Sequence, residues 1–232
     1  MKNKLIETFE IENEKIYVIA HGNYDSQLPE KQISKKQARK NLSIRQDENV
    51  ILFFGAVKAY KGLDLLLDAF EIAASQNQNL RLVIAGSPDT EELKNKYANK
   101  INQLKSKNRI IHNFAYIPTE KVADYFLAAD IIALPYKNIY HSGIIHLTFS
   151  YGRPFVATDV GDFREMAEEG KCGKISPENS ATSFAETLLD CFADKELLEK
   201  MGKYCKKISD TKYSWNDIAK KTRDLYENLL SK

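Results

Sequence analysis

The chain of 232 residues is poor in several features that would tie it to a specialised class. It has only three cysteines, Cys172, Cys191 and Cys205, widely spaced and with no C-x-x-C pair. That excludes a disulfide framework and a zinc ribbon, and leaves reduced thiols in a cytoplasmic protein as the expectation. No apolar run approaches the ~20 residues that cross a bilayer. The opening stretch, MKNKLIETFEIENEKIYVIAHG, has glutamates scattered through it and no apolar core, so no signal peptide is expected. Net charge is only +2, from 34 basic and 32 acidic residues, which argues against a nucleic-acid partner. There is no Walker GK[ST], no G-x-G-x-x-G after a strand and no H-E-x-x-H, so the P-loop, dinucleotide and zincin chemistries have no support. Internal repeats, low-complexity tracts and Pro/Gly-rich linkers are missing as well.

What is present is an alternation. Residues 50–54 (VILFF), 80–85 (LRLVIA), 109–114 (RIIHNF), 130–134 (DIIAL), 155–158 (FVAT) and 173–176 (GKIS) are short β-rich runs, several apolar throughout, as in strands buried on both faces. Helical stretches separate them. In the first, Leu63, Leu66, Leu67, Phe70 and Ala74 share one face. Others are expected over 91–105, over 119–129 with Thr119 as N-cap, and over 181–192, 195–208 and 215–230. A further β-rich run, 16–20 (IYVIA), ends at Gly22. The polar segment 23–48, helical around 36–42, reads as a connection around the outside of the domain. The pattern predicts a Rossmann-like, doubly wound parallel α/β sheet of about six strands with helices on both faces. Ligands of such sheets bind beyond the carboxyl ends of the strands, here Gly22, Gly55, Gly86, Tyr116, Pro135 and Gly161.

Two loops at those ends could hold an anion. GAVKAYKG, Gly55 to Gly62, places Lys58 and Lys61 in a tight turn before a helix, although loop lysines are usually just solvated. Ser142-Gly143 opens a short apolar helix whose free N–H groups and dipole suit a phosphate, although the same residues also serve capping alone. In a doubly wound sheet the two loops share one edge and would form a metal-free diphosphate clamp. Among the histidines, His112 in a strand and His146 in the apolar helix read as structural. His141, beside the Ser-Gly turn, and His21, at the end of a strand-like run, are equally suited to a ligand or to solvent. Glu165, with Asp159 and Asp162 before it, suits a base, a helix cap or a hydroxyl-binding role.

At this point the residues resemble a family. ILFFGAVKAYKGLDLLLDAF is similar to the phosphate-binding strand-loop-helix of the group 1 glycosyltransferases, which have the retaining GT-B fold, and SGIIHLTFSYGRPFVATDVGDFRE to their nucleotide-sugar motif. VIAHGNYD, LRLVIAGS, AADIIALPY and YSWNDIAKKTRDLYENLL resemble further segments, in the family's order, from about residue 16 to the end. The resemblance covers the C-terminal, donor-binding half only. It implies a nucleotide-sugar-binding domain over 16–232, preceded by residues 1–15 as an extension or linker remnant. The acceptor-binding domain would then be missing from the sequence or supplied as a separate subunit, the chain being an excised half, a split subunit or a remnant.

By the same resemblance Lys58 and Lys61 contact the donor diphosphate, and the backbone at Ser142, Gly143 and Ile144 holds the distal phosphate. Tyr116 and Ile117 meet the nucleobase, and Glu165 is an acid near the end of the motif; Gly55 and Gly86, as strand ends, and His141, beside the Ser-Gly turn, are added as donor-binding candidates from their positions. The family's two glutamates, eight positions apart, are replaced by Ile139 and Leu147. The implied activity is retaining transfer of a hexosyl group from a UDP- or GDP-linked sugar to a saccharide or lipid-linked acceptor, as in polysaccharide biosynthesis. The nucleotide sugar is a substrate, and no cofactor or metal is implied. A pI near 8.2 permits weak attraction to anionic lipid at the inner face of the membrane. The alternative is a non-catalytic module that binds a nucleotide or a protein.

Overall fold

The structure is a computed structural model that describes residues 2–28 and 33–231. Its strands are β1 (Asn49–Phe54), β2 (Leu80–Ala85), β3 (Ile110–Asn113), β4 (Ile131–Leu134), β5 (Phe155–Thr158) and β6 (Gly173–Ser176). Its helices are α1 (Lys2–Phe9), α2 (Lys35–Asn41), α3 (Leu63–Gln76), α4 (Glu91–Gln103), α5 (Thr119–Ala128), α6 (Gly143–Ser150), α7 (Phe163–Met166), α8 (Ala181–Ala193), α9 (Lys195–Asp210) and α10 (Trp215–Leu230).

The six strands form one sheet in the order β3-β2-β1-β4-β5-β6, every pair parallel. This is the expected Rossmann-like α/β architecture. The apolar strands suit it because alternate side chains enter two separate cores. Val50, Leu52 and Phe54 pack with α2, α5, α6 and part of α9, while Ile51 and Phe53 pack with α3, α4 and α8. Leu63, Leu66, Leu67, Phe70 and Ala74, the expected inner face of α3, are all buried. The strand order reverses between β1 and β4, so the loops leaving those two strands diverge and open a crevice between them.

The outer connection is tied in by charge. Arg39 of α2 is buried and donates to the Asp130 carboxylate at 2.8 Å, to the Ala128 carbonyl at 3.1 Å and to the Gln46 carbonyl at 2.7 Å. Asp130 also accepts from the Val50 amide at 2.7 Å and from Lys35, so α2 is anchored to the start of β1 and β4. Residues 29–32 of the 23–48 connection lie outside the described residues.

Two expectations are corrected. Residues 16–20 form no strand, and Gly22 is therefore not a strand end. The sheet edges are β3 and β6, neither pairs with this segment, and a β-rich run without a ladder partner stays extended and exposed at Tyr17, Val18 and Ile19. Thr119 is the first residue of α5 rather than its cap; Pro118, extended at φ −60° and ψ 147°, holds the cap position without a side-chain acceptor. In α10 only Ile218 is buried; Trp215, Tyr226, Leu229 and Leu230 are exposed, as are Leu5 and Phe9 of α1.

Ser180 caps α8, accepting from the Ser183 amide at 3.2 Å, and α8 brings Phe184 and Leu188 onto the sheet. Ser180→Ala is expected to lower stability by about 1 kcal/mol, read as an earlier urea midpoint at unchanged m-value.

Candidate functional site

The loop after β1 is held on both sides. Gly55 donates its N–H to the Ala85 carbonyl at 2.9 Å, and the Tyr60 carbonyl accepts from the Lys137 amide, beyond β4, at 2.7 Å. A 3-10 turn over Ala59–Lys61 then directs Lys61 inward, leaving it 8% exposed. Its ammonium lies 5.7 Å from the centre of the Tyr136 ring, a cation–π contact. Among the described residues no carboxylate forms an ion pair with it. Burial, and secondarily the charge of Lys58, push its pKa down to about 8. Lys58 is different: it is half exposed and sits 3.7 Å from the Asp89 carboxylate. The two lysines weighed alike in the sequence are thus a buried cation without an anion and a surface cation that has one.

Across the crevice α6 begins at Gly143. Ser142 occupies the cap position but its hydroxyl accepts from none of the first-turn amides; it lies 3.5 Å from the Tyr136 hydroxyl instead. The Ile145 amide donates to the Ser142 carbonyl. Helix geometry gives the N–H groups of Gly143 and Ile144 no intrahelical acceptor, so they and the positive end of the helix dipole face the crevice. Gly55 makes this approach feasible: a Cβ there would lie 3.2 Å from the Ile144 Cδ1 and 3.4 Å from the Lys61 Nζ. Gly86 backs it, since a Cβ on Gly86 would fall 2.0 Å from the Gly55 carbonyl oxygen.

Between the two lies a cavity of about 370 Å³. Its walls bring together five of the residues singled out from the sequence: Lys61, His141, Ser142, Gly143 and Ile144. Gly55 and Gly86 support it from below. Lys58, Tyr116, Ile117 and Glu165 are not in its lining: Tyr116 is exposed, Ile117 packs in the core, and Glu165 is exposed on α7. Ile139 and Leu147 do line it, with Val122, Thr119 and the tyrosines 24, 60 and 151. Tyr60, inside the glycine-bounded lysine loop, was findable from its position; Tyr24 and Tyr151 had no local signal. Among the described residues the lining contains no carboxylate side chain. The cavity is therefore a positive end, made by Lys61 and the start of α6, joined to an apolar wall. That arrangement fits a phosphorylated ligand with a flat or apolar portion.

His141, on the same rim, donates from Nδ1 to the Asp162 carboxylate at 2.5 Å, and its Nε2 lies 3.1 Å from the Nε2 of His146. His146 is buried, as expected of a packed histidine, and His21 stacks over Tyr24 and lies 5.1 Å from the His146 ring. His112 is exposed on edge strand β3 against Phe114. No group of three or more His, Cys, Asp or Glu among the described residues is arranged to hold a metal ion. No helix among them is long and apolar enough to cross a membrane.

The family model described as "Glycosyl transferases group 1" matches residues 34–208. The chain is 25% identical over 227 residues to the D-inositol 3-phosphate glycosyltransferase of Corynebacterium urealyticum, covering 96% of this chain and 53% of that protein. Among solved structures it is similar to a glycosyltransferase from Rickettsia africae (TM-score 0.83, 20% identity, 99% of this chain and 61% of that one). It is also similar to Anabaena HepE in complex with UDP (TM-score 0.83, 16% identity, 100% and 61%). At those identities the solved structures establish the shared fold. The chain spans about half the length of the curated relatives it matches.

Proposed function

Since the chain belongs to the group 1 glycosyl transferases, we propose that its cavity is the donor site of a glycosyltransferase and takes a nucleotide-diphosphate sugar, UDP- or GDP-linked. The observation that carries this reading is Lys61, a buried ammonium with no carboxylate partner among the described residues, opposite the unspent amides of α6. A cation held that way without an internal anion is suited to an anion from outside. The UDP complex of the similarly folded Anabaena protein supports a nucleotide ligand.

In this reading Lys61, aided at longer range by Lys58, and the amides of Gly143 and Ile144 neutralise the diphosphate as the sugar C1–O bond breaks and negative charge grows on the leaving group. The sugar goes, with retention, to a saccharide or lipid-linked acceptor held by a second domain, in the same polypeptide or in a partner. The exposed apolar residues of α1, α10 and the 16–20 segment support such a covering surface. Three buried, unpaired cysteines suit a reducing compartment such as the cytoplasm.

A second reading is favoured by Ile139 and Leu147. Both line the cavity where the family resemblance calls for glutamates, and neither accepts a hydrogen bond from a sugar hydroxyl. On that basis the chain is a non-catalytic binding module. Calorimetric titration of the folded chain with UDP, GDP and ADP tests the donor-site reading. Saturable binding of one nucleotide is expected; no heat with any of them, from a chain with an intact cooperative unfolding transition, removes the donor-site reading and leaves the module.

A further inference from the structure

We propose that Asp162, His141 and His146 form a relay that holds His141 as an imidazolium on the rim of the cavity, making His141 the second side-chain cation of the anion site, with Asp162 and His146 as its positioning residues. The proposal rests on the donor-site reading for the identity of the anion, but the relay is a property of the chain by itself.

The geometry leaves few proton arrangements. Asp162 accepts at Oδ2 from His141 Nδ1 at 2.5 Å, and its Oδ1 is buried without a partner. No other side chain bonds this carboxylate among the described residues, so its counter-charge is the imidazole. At the other end of that ring, Nε2 meets Nε2 of His146 at 3.1 Å. One of these two nitrogens must donate, because two facing lone pairs repel. His146 is 1% exposed, and burial, then the facing His141, push its pKa down to about 3. It therefore stays neutral and carries one ring proton. With that proton on Nδ1, His146 Nε2 accepts from His141, which then has both ring protons and a positive charge. With it on Nε2, His146 donates and His141 is neutral. Passing from the first state to the second releases one proton, from His146 Nδ1, while the shared proton crosses between the two Nε2 atoms. The hydrogen bond survives in both states; only the charge facing the cavity changes.

Asp162 favours the charged state, and it does so against the cost of a His146 Nδ1 that is buried without a partner among the described residues. Asp162 comes from the turn after β5. His21 and Tyr24 pack from the N-terminal segment, Tyr213 contacts the His146 ring at 4.9 Å, and Phe149 flanks it on α6. Asp162 is the one anion among them. Its hydrogen bond raises the His141 pKa above the ordinary value against the smaller effect of burial. The imidazolium is thus present through pH 6.5 and is lost as pH rises through the raised value. Anion affinity at this rim follows the same sign.

The test uses the full chain and two readouts. Long-range proton–nitrogen NMR of the histidine rings is expected to show His141 titrating above 6.5 and His146 neutral throughout. Asp162→Asn, which keeps an acceptor but removes the charge, lowers the His141 midpoint. UDP affinity is expected to fall about tenfold as pH rises through that midpoint, in addition to the fall near pH 8 that Lys61 gives in both chains, and the histidine step vanishes in His141→Gln. A His141 midpoint at or below 6.5, or a pH profile of UDP affinity that is the same in His141→Gln as in the wild type, overturns the proposal. If the wild-type chain binds no UDP at any pH while His141 still titrates high and responds to Asp162→Asn, the relay stands and its donor role is overturned together with the donor-site reading.

Discussion

Lys61→Met is expected to weaken nucleotide-diphosphate binding by about a hundredfold while making the folded chain more stable at pH 7. The loss follows from removing a charge-assisted contact to phosphate, and Met keeps most of the stem volume, so packing changes little. The gain in stability follows from the ammonium's position. It is 8% exposed, with a pKa lowered to about 8 by burial and by Lys58, and a ring face as its only described partner. The folded value lies below the unfolded one, so the folded state binds fewer protons between about pH 8 and the ordinary lysine range. Stability contributed by this site therefore rises with pH across that window, and the charged form costs roughly 3 kcal/mol below it. In Lys61→Met the rise disappears. Ligand affinity has the opposite slope, since Lys61 loses its charge above about pH 8. Urea unfolding and calorimetry at pH 7 and 9.5, on both chains, check each sign. A variant that loses stability at pH 7, or keeps wild-type affinity, would show that Lys61 belongs to the packing and not to the site.

Gly62→Ala is expected to destabilise the fold by about 3 kcal/mol or more and to abolish binding with it. Gly62 has φ +69°, where an L residue costs about 1–2 kcal/mol. A Cβ there would also fall 1.8 Å from the Pro135 carbonyl oxygen, a backbone atom that cannot swing aside. Because Gly62 ends the turn that carries Lys61 and abuts the segment leaving β4, relief of the clash moves both walls of the cavity apart. Gly170→Ala isolates the conformational part: its φ is +88°, yet a Cβ there meets nothing within 4 Å. A cost of only about 1 kcal/mol is expected at Gly170, with binding intact. Equal costs at the two glycines, read from urea midpoints, would refute the steric account.

The amino-acid sequence alone determined the layers and their contents. The unbroken apolar run VILFF, and LRLVIA with its single Arg81, demand burial on both faces, and the helical face of Leu63, Leu66, Leu67, Phe70 and Ala74 matches one of them. Local periodicity is enough for this because the side-chain direction of a strand or helix is set within the element. The Ser-Gly start of α6 was legible for the same reason, since a helix terminus exposes its amides wherever it lies. Tertiary structure decided the rest. Lys58 and Lys61 look alike along the chain, and only the turn pinned between β1 and the segment after β4 buries one and leaves the other at the surface. Arg39, in a polar connection, became a buried anchor because the strand order places Asp130 beneath it. The run 16–20 stayed a coil because strand formation needs a partner edge, a property of the sheet and not of the run. His141, His146 and Asp162 met because α6 and the turn after β5 emerge from neighbouring parallel strands at the same end. Such pairings depend on crossovers between elements far apart in the chain, and no periodicity within one element records them.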